Sequence, residues 1–467
     1  MRPGSLVRWA RGAVAREAQV LLRGGEPTVE LLRHLGPDVP TDAQVLEVLD
    51  LCIQVGEVLL STGEPVGETS ATMTGLAAAC GLPTVDVDIT FNAITMCFHR
   101  GNVAAPVTTM RLATYGTTDL TRIALITGIV DQVTRSRMTV PAAVAAVSEA
   151  VNARHPYPRW VATAGLAGLA AAVAVLLGGS AVIAATAFAV TALIDRLGVV
   201  LQRRDVAPFF LQVTGALMST VATLGLLAAG ALPGDTQPSL VIAAGLTALL
   251  SGLTLVGTVQ DAISGFYVTA AGRAAEITLL SAGLLVGVIL GLKLGLVFDL
   301  DLDPAEPLRA DMAGFVLTTV AAALSAALFA LAGYAPLRSL PAAFVVGGTA
   351  WAAYAAVIML TDVGPVAASG VAATVVGLAT GLSRRGSGRR TQVIVLSGII
   401  PLLPGLTAYR GFYQLAGDDV VSGLVTLVLA LSIGLAVAAG VALGDLIARP
   451  APTRRRARPR TKDHLPR

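Results

Sequence analysis

What most constrains this chain is the scarcity of charge between residues 160 and 448, where 26 of the 63 charged residues are spread over 289 positions. The first 159 residues hold 28 charges and the last 19 hold nine. Hydrophobic residues make up 54% of the chain and charged residues 13%, against roughly 45–50% and about 25% in an average soluble domain. The sequence is therefore two-part, an ordinary-looking segment followed by a membrane body with a short basic tail. This excludes a wholly soluble enzyme, a secreted disulfide scaffold and a disordered chain.

A helix needs about 20 mainly apolar residues to cross hydrocarbon, and open sheet edges cannot be satisfied there, so these runs must be helices. Ten spans result, at 160–178, 181–201, 208–231, 239–259, 275–297, 312–332, 340–360, 365–382, 391–408 and 420–446. Orientation follows from Arg in the short loops. With the N-terminal part in the cytoplasm, cytoplasmic connections hold Arg203, Arg204, Arg273, Arg338, Arg384, Arg385, Arg389 and Arg390. The other side has Arg309 and Arg410 among acidic residues such as Asp299, Asp301, Asp303 and Glu306. Both termini are then cytoplasmic.

The ends fit this frame. Residues 1–40 are basic, Gly-containing and expected to be loosely ordered, with no apolar run of signal-peptide type. The tail 449–467, with Arg454, Arg455, Arg456, Arg458 and Arg460, reads as a membrane-surface anchor more than a nucleic-acid contact. Cys52, Cys80 and Cys97 are an odd number without metal-site spacing, which suggests free thiols in a reducing compartment. Neither CxxC nor HExxH occurs, and no metal or cofactor is expected.

The acidic extracytoplasmic connection at 298–311 divides the body into membrane helices 1–5 at 160–297 and 6–10 at 312–448. Five is odd, so the second set enters from the opposite side, which suggests inverted repeats. Near the end of the fourth span Gly257-Thr258-Val259-Gln260-Asp261 precedes Gly265-Phe266-Tyr267, and near the end of the ninth Gly405-Leu406-Thr407-Ala408-Tyr409 precedes Gly411-Phe412-Tyr413. Transporters commonly build a midplane site from interrupted helices in such repeats. Pro401 and Pro404 lack amide donors, so with Gly405 they should break or kink the ninth span.

Ionisable groups inside spans are costly and default to functional candidates. Asp261, Arg273 and Glu276 lie between the fourth and fifth spans, where they serve either as a gate or proton site or as charges that neutralise one another. Arg273 and Glu276, three apart, share a helical face. Lys293 is one of two lysines and can snorkel to the interface. Asp195 and Arg196 read as a pair. Small residues such as Gly165, Gly168 and Gly434 read as helix packing.

Residues 41–159 read as a cytoplasmic α+β domain. Thr41 with Gln44 forms a capping box ahead of Leu46, Leu49 and Ile53. Ser61-Thr62-Gly63 makes a turn before a helix from near Glu68 to Gly81. Val85, Val87, Ile89 and Phe91 alternate with polar residues as in a strand, a second strand is expected at Val107–Thr114, and helices begin near Asp119 and after Thr139. Asp86, Asp88 and His99 lack further ligands, and no nucleophile-elbow motif accompanies Ser61, Gly63 and Glu68. No catalytic residue is assigned, and regulation or gating fits this part better.

Taken together the chain resembles the threonine/serine exporter family from Ala43 to Ala448, in Leu60-Ser61-Thr62-Gly63-Glu64-Pro65-Val66-Gly67-Glu68-Thr69, the stretch Val85–Thr95, Thr258–Glu276, and Ile399-Ile400-Pro401-Leu402-Leu403-Pro404-Gly405. The resemblance implies proton-driven export of threonine and serine out of the cytoplasm; the protein is further expected to sit in a bacterial plasma membrane, to be able to form a homo-oligomer and to bind no nucleic acid. The family often has Pro-Gly at the end of the fourth span, where this chain has Val256-Gly257. Helix ends and freed carbonyls near Pro404 would take the zwitterion, with Thr258, Gln260, Thr407 and Tyr409 toward its hydroxyl. A carrier or channel for another metabolite, or a membrane-tethered hydrolase, are the alternatives.

Overall fold

This computed structural model describes residues 41–100, 105–113, 119–232, 237–249, 252–298, 312–384, 397–417 and 419–448. The expected loose segment 1–40, the acidic connection beyond Phe298, the cluster Arg385 to Arg390 and the basic tail lie outside the described residues.

Helix α1 (Asp42–Ser61) starts at the expected capping box: the Thr41 side chain accepts the Gln44 amide and the Gln44 side chain accepts the Thr41 amide. Two donors that a helix start leaves unpaired are thereby satisfied. Helix α2 (Val66–Ala79) begins two residues before Glu68. The sheet has three antiparallel strands in sequence order, β1 (Val85–Thr90), β2 (Ala93–Phe98) and β3 (Val107–Leu112). The stretch Val85–Thr95, expected as one strand, is thus a hairpin that reverses at Phe91 and Asn92, with Phe91 at φ 56°. Val85 opposite Phe98, Val87 opposite Met96 and Ile89 opposite Ile94 form one inward row. Helices α1 and α2 cover that row in a common core. Helix α3 (Leu120–Thr134) is capped by Asp119, which accepts the Thr121 and Arg122 amides, and α4 (Val140–Asn152) follows Thr139 with a proline in its first turn.

The body comprises α5 (Arg159–Leu176), α6 (Ala181–Gln202), α7 (Pro208–Ala228), α8 (Ser239–Leu249), α9 (Gly252–Ile263), α10 (Tyr267–Val297), α11 (Met312–Ala332), α12 (Leu340–Leu360), α13 (Pro365–Arg384), α14 (Gly405–Ala416) and α15 (Val420–Ala448). Eight helices among the described residues are long and apolar enough to cross a membrane, and they coincide with eight of the ten expected spans. The expected fourth span is a pair, α8 and α9, meeting at 50°. The expected ninth falls partly on undescribed residues. Its described end is a 3-10 turn at Ile400–Leu402, an extended Leu403, and then α14, which runs past the expected end to Ala416. Helix α10 starts eight residues before the expected 275, which takes Arg273 out of a loop and into a buried helical turn.

Close backbone approach holds the bundle together. A Cβ on Gly287 would lie 2.8 Å from Ala216 Cβ and 2.9 Å from the Leu217 amide, so α10 and α7 nearly touch. Gly165 stands likewise against Ala332 of α11 at 2.8 Å, and Gly440 and Gly444 of α15 against the Gly370 and Thr374 carbonyls of α13. In lipid, where apolar burial drives nothing, such seams supply the dispersion contacts. Leu279, Val286, Leu290 and Leu294 line an exposed face of α10 that suits hydrocarbon.

The α+β part rests on this bundle at two corners. Between α11 and α12, the Leu120 amide donates to the Gly333 carbonyl at 2.8 Å and the Tyr157 hydroxyl to Leu331 at 2.7 Å. The His155 ring stacks on Tyr334 at 4.1 Å. Burial, then Tyr334 and Asp119, push the Tyr157 hydroxyl above its ordinary range, so it stays a donor. Ala330, Ala335 and Ala343 join the core of the α+β part. The other corner, between α9 and α10, carries the candidate site.

Candidate functional site

Helix α9 ends at Ile263, and Gly265 at φ 91° turns the chain into α10. That corner brings Asp261 and Arg273, twelve residues apart, face to face: Arg273 Nη1 lies 2.6 Å from Asp261 Oδ2, with the side chains 2% and 0% exposed. The Val66 amide, first in α2, donates to Asp261 Oδ1 at 2.6 Å. Arg273 Nη2 reaches the Glu64 carbonyl at 3.5 Å. A buried carboxylate is tolerated only when paired and hydrogen-bonded, and here both oxygens are engaged. The Val66 amide is one of the donors a helix start leaves open, and its partial positive charge suits a carboxylate.

Glycines make the approach possible. A Cβ on Gly257 would lie 3.2 Å from the Gly63 carbonyl and 3.7 Å from Arg273 Nη1, and one on Gly67 3.3 Å from Phe266. Beside it the hairpin tip enters: the Phe91 amide donates to Thr269 Oγ1 at 2.9 Å, and Thr269 Oγ1 lies 3.2 Å from the Ile89 carbonyl. Gly63 and the Asp261–Arg273 cluster, read separately from the sequence, thus form one closure, while the Ser61 hydroxyl stays on its own Val58 carbonyl. Glu276 is half-buried, and the ion pair of Arg273 is with Asp261. Thr258, one turn before Asp261, is buried with its hydroxyl on its own Thr254 carbonyl, and Gln260 is half-buried.

A second cluster lies where the two interrupted helices cross. Gly257 is inside continuous α9, and the parts Ser239–Leu249 and Thr254–Ile263 of that span differ in direction by 50°. Pro401 is in the 3-10 turn, and Pro404 (φ −80°, ψ 48°) precedes Gly405, the first residue of α14. A Cβ on Gly405 would collide with Thr247 Oγ1 of α8. On the other side of α8 from Thr247, Ser219 Oγ and Thr191 Oγ1 lie 2.9 and 3.8 Å from where a Cβ on Gly245 would sit. Both are buried and, among the described residues, have no hydrogen-bond partner; the same holds for the Tyr409 hydroxyl and Gln212 Oε1. Gln212 Nε2 takes the Leu249 carbonyl at the end of α8, at 3.3 Å.

Thr191, Ser219, Thr247 and Gln212 had no sequence signal. Helical hydroxyls usually bond their own i−4 carbonyl, as Thr220, Thr223 and Thr247 do here, and only the fold reveals that Thr191 and Ser219 do not. Thr407 is half-buried on α14. Lys293 joins neither cluster and is exposed near the end of α10. Asp195 accepts from Thr163 at 2.6 Å and pairs with Arg159 and Arg196.

Long apolar helices, one bent pair and a proline-broken segment define a polytopic helical membrane protein. Two family models match: one of the threonine/serine exporter family, ThrE, covers residues 50–295, and a second, "Threonine/Serine exporter, ThrE", covers 318–447. A Mycobacterium tuberculosis (strain ATCC 25618 / H37Rv) protein named "Probable threonine/serine exporter" is 37% identical over 88% of this chain and 78% of its own length. The "Threonine/serine exporter" of Corynebacterium glutamicum is 31% identical over 92% and 89%. No solved structure matches. The chain belongs to the threonine/serine exporter family, a family of transporters and not of enzymes.

Proposed function

We propose that this chain exports threonine and serine from the bacterial cytoplasm as a secondary transporter driven by the proton gradient, with both termini cytoplasmic. The observation that carries the reading is the crossing of two interrupted helices at Thr247 and Gly405, where Tyr409, one turn after Gly405, buries a hydroxyl that has no partner among the described residues. Unsatisfied polar groups at membrane depth cost several kcal/mol each, and a small hydroxylated zwitterion supplies what they lack. The start of α14 suits its carboxylate, the end of α8 its ammonium, and Tyr409 its hydroxyl. Asp261 lies nine residues beyond Gly252, about 14 Å along α9 at 1.5 Å per residue, far enough to close a path without touching the cargo.

Ten spans in a five-plus-five inverted repeat complete the proposal. In support, the first and sixth spans pack together, and so do the fourth and ninth; the contact of the third with the fifth recurs between the eighth and tenth, and that of the first with the second between the sixth and seventh. The two family models also divide the chain at the same connection. The test is efflux from proteoliposomes loaded with threonine, serine or other amino acids, with and without an imposed pH gradient. Threonine and serine should leave fastest and accelerate with the gradient. Equal rates for all cargoes would point to another metabolite, and rates indifferent to pH would remove the proton.

A further inference from the structure

The two halves agree most closely at their corners. Helix α9 ends at Ile263 and α14 at Ala416, while α10 begins at Tyr267 and α15 at Val420, so both limits recur after an interval of 153 residues. The Gly-Phe-Tyr triplets do not obey this interval: the first stands at the corner and the second within α14. The side-chain bridge across the corner does obey it. Asp261 and Arg273, moved by 153, become Gln414 and Thr426, and the Thr426 hydroxyl lies 2.7 Å from Gln414 Oε1. Thr426 Oγ1 also lies 2.8 Å from its own Ser422 carbonyl. A hydroxyl has one proton, so when Ser422 takes it the turned amide of Gln414 supplies an N–H instead.

We infer that Gln414 and Thr426 form the latch of the opposite face, the counterpart of the Asp261–Arg273 pair, and that export proceeds by opening one while the other stays made. Both bridges join the second part of an interrupted helix to the helix after it, α9 to α10 and α14 to α15. Each therefore ties down the part of its span that must swing for the central crossing to reach one side. In the structure both bridges are made, which is the arrangement of an occluded state. Their chemistry differs in a way that sets the cycle. The first is ionic, dry and reinforced by the Val66 amide, while the second is neutral and half-buried. The outer face accordingly opens more readily than the inner one, which suits a protein that must release cargo outward without letting it return.

This rests on the transporter reading and its orientation, and its labelling arm is run without cargo. Cys52, Cys80 and Cys97 are replaced by alanine and a single reporter is introduced as Thr407→Cys. Labelling by a membrane-impermeant maleimide is then timed from each face. Removing a neutral hydrogen bond with Thr426→Val or Gln414→Met, each close in volume, should raise labelling from the Gln414 face about 2- to 10-fold and leave the other face unchanged. The double variant Gln414→Glu with Thr426→Arg copies the inner pair and should slow that labelling below the parent, and with Thr407 restored it should slow efflux. Unchanged labelling in both single variants, or parental labelling in the double variant, overturns the latch. Labelling that shifts as expected while threonine and serine fail to leave keeps the latch and removes the cargo.

Discussion

Asp261 keeps a carboxylate where water does not reach because one oxygen meets a guanidinium and the other a helix-start amide. Removing one partner of such a pair leaves a buried charge uncompensated, at about 3–5 kcal/mol. Arg273→Gln should therefore lower the thermal midpoint of the detergent-solubilised protein by several degrees, and Arg273→Gln with Asp261→Asn should lower it less. A larger fall in the double variant would show that the two residues do not compensate each other. The amide can be tested alone. Proline is tolerated at the first helical position, and Pro65 at ψ 141° already has the conformation required before a proline. Val66→Pro thus deletes one donor and keeps α2. A charge-assisted bond contributes about 1.5–3 kcal/mol, so proteolysis of the Ser61–Val66 turn in membranes should quicken about tenfold or more. A rate equal to the parent's would mean that the amide does not hold the turn. Sequence spacing made Asp261, Arg273, Gly63 and Glu276 legible as candidates. It suggested Glu276 as the partner of Arg273, because an i, i+3 rule operates within a helix and says nothing of a corner that brings residue 261 to residue 273.

Elements were legible in proportion to how local their causes are. The capping box of α1, the cap at Asp119 and the break at Pro404 each depend on a few adjacent residues, and each is where the sequence puts it. The hairpin at Phe91 was missed because its turn lacks the Asn-Gly signal and draws support from Thr269, 178 residues away. The bend after Leu249 was missed because no proline marks it. Where these interruptions cross, size decides. Gly405→Ala places a methyl against Thr247, and overpacking of this kind costs about 1–3 kcal/mol. Transport by that variant should fall, and Thr247→Gly in the same chain should restore part of it by clearing the methyl's place. Absence of recovery, with both proteins folded by size-exclusion profile, would show that the loss arises elsewhere than at this contact.

For the whole molecule, the α+β part and the bundle behave as one body, since the core of the former includes Ala330, Ala335 and Ala343 of the latter. Composition could not reveal this, because much of the joint is made by backbone groups: the Leu120 amide on Gly333, the Phe91 amide on Thr269, the Val66 amide on Asp261. Such donors leave no trace in residue type. Three hydrogen bonds at about 0.5–1.5 kcal/mol each, one of them to a charge, sum to at least a tenfold bias toward the docked state. The bundle from residue 159 onward, produced alone, should therefore hold its Asp261 face loosely. It should export threonine from proteoliposomes at a rate changed by about tenfold or more and melt earlier than the full chain. Supplying residues 41–158 as a separate polypeptide should restore both, because nothing in the joint requires the covalent link. A bundle that exports at the parental rate and melts with the full chain would show instead that the α+β part is carried without taking part in closure, and the sealing of Asp261 would then have to come from α9 and α10 alone.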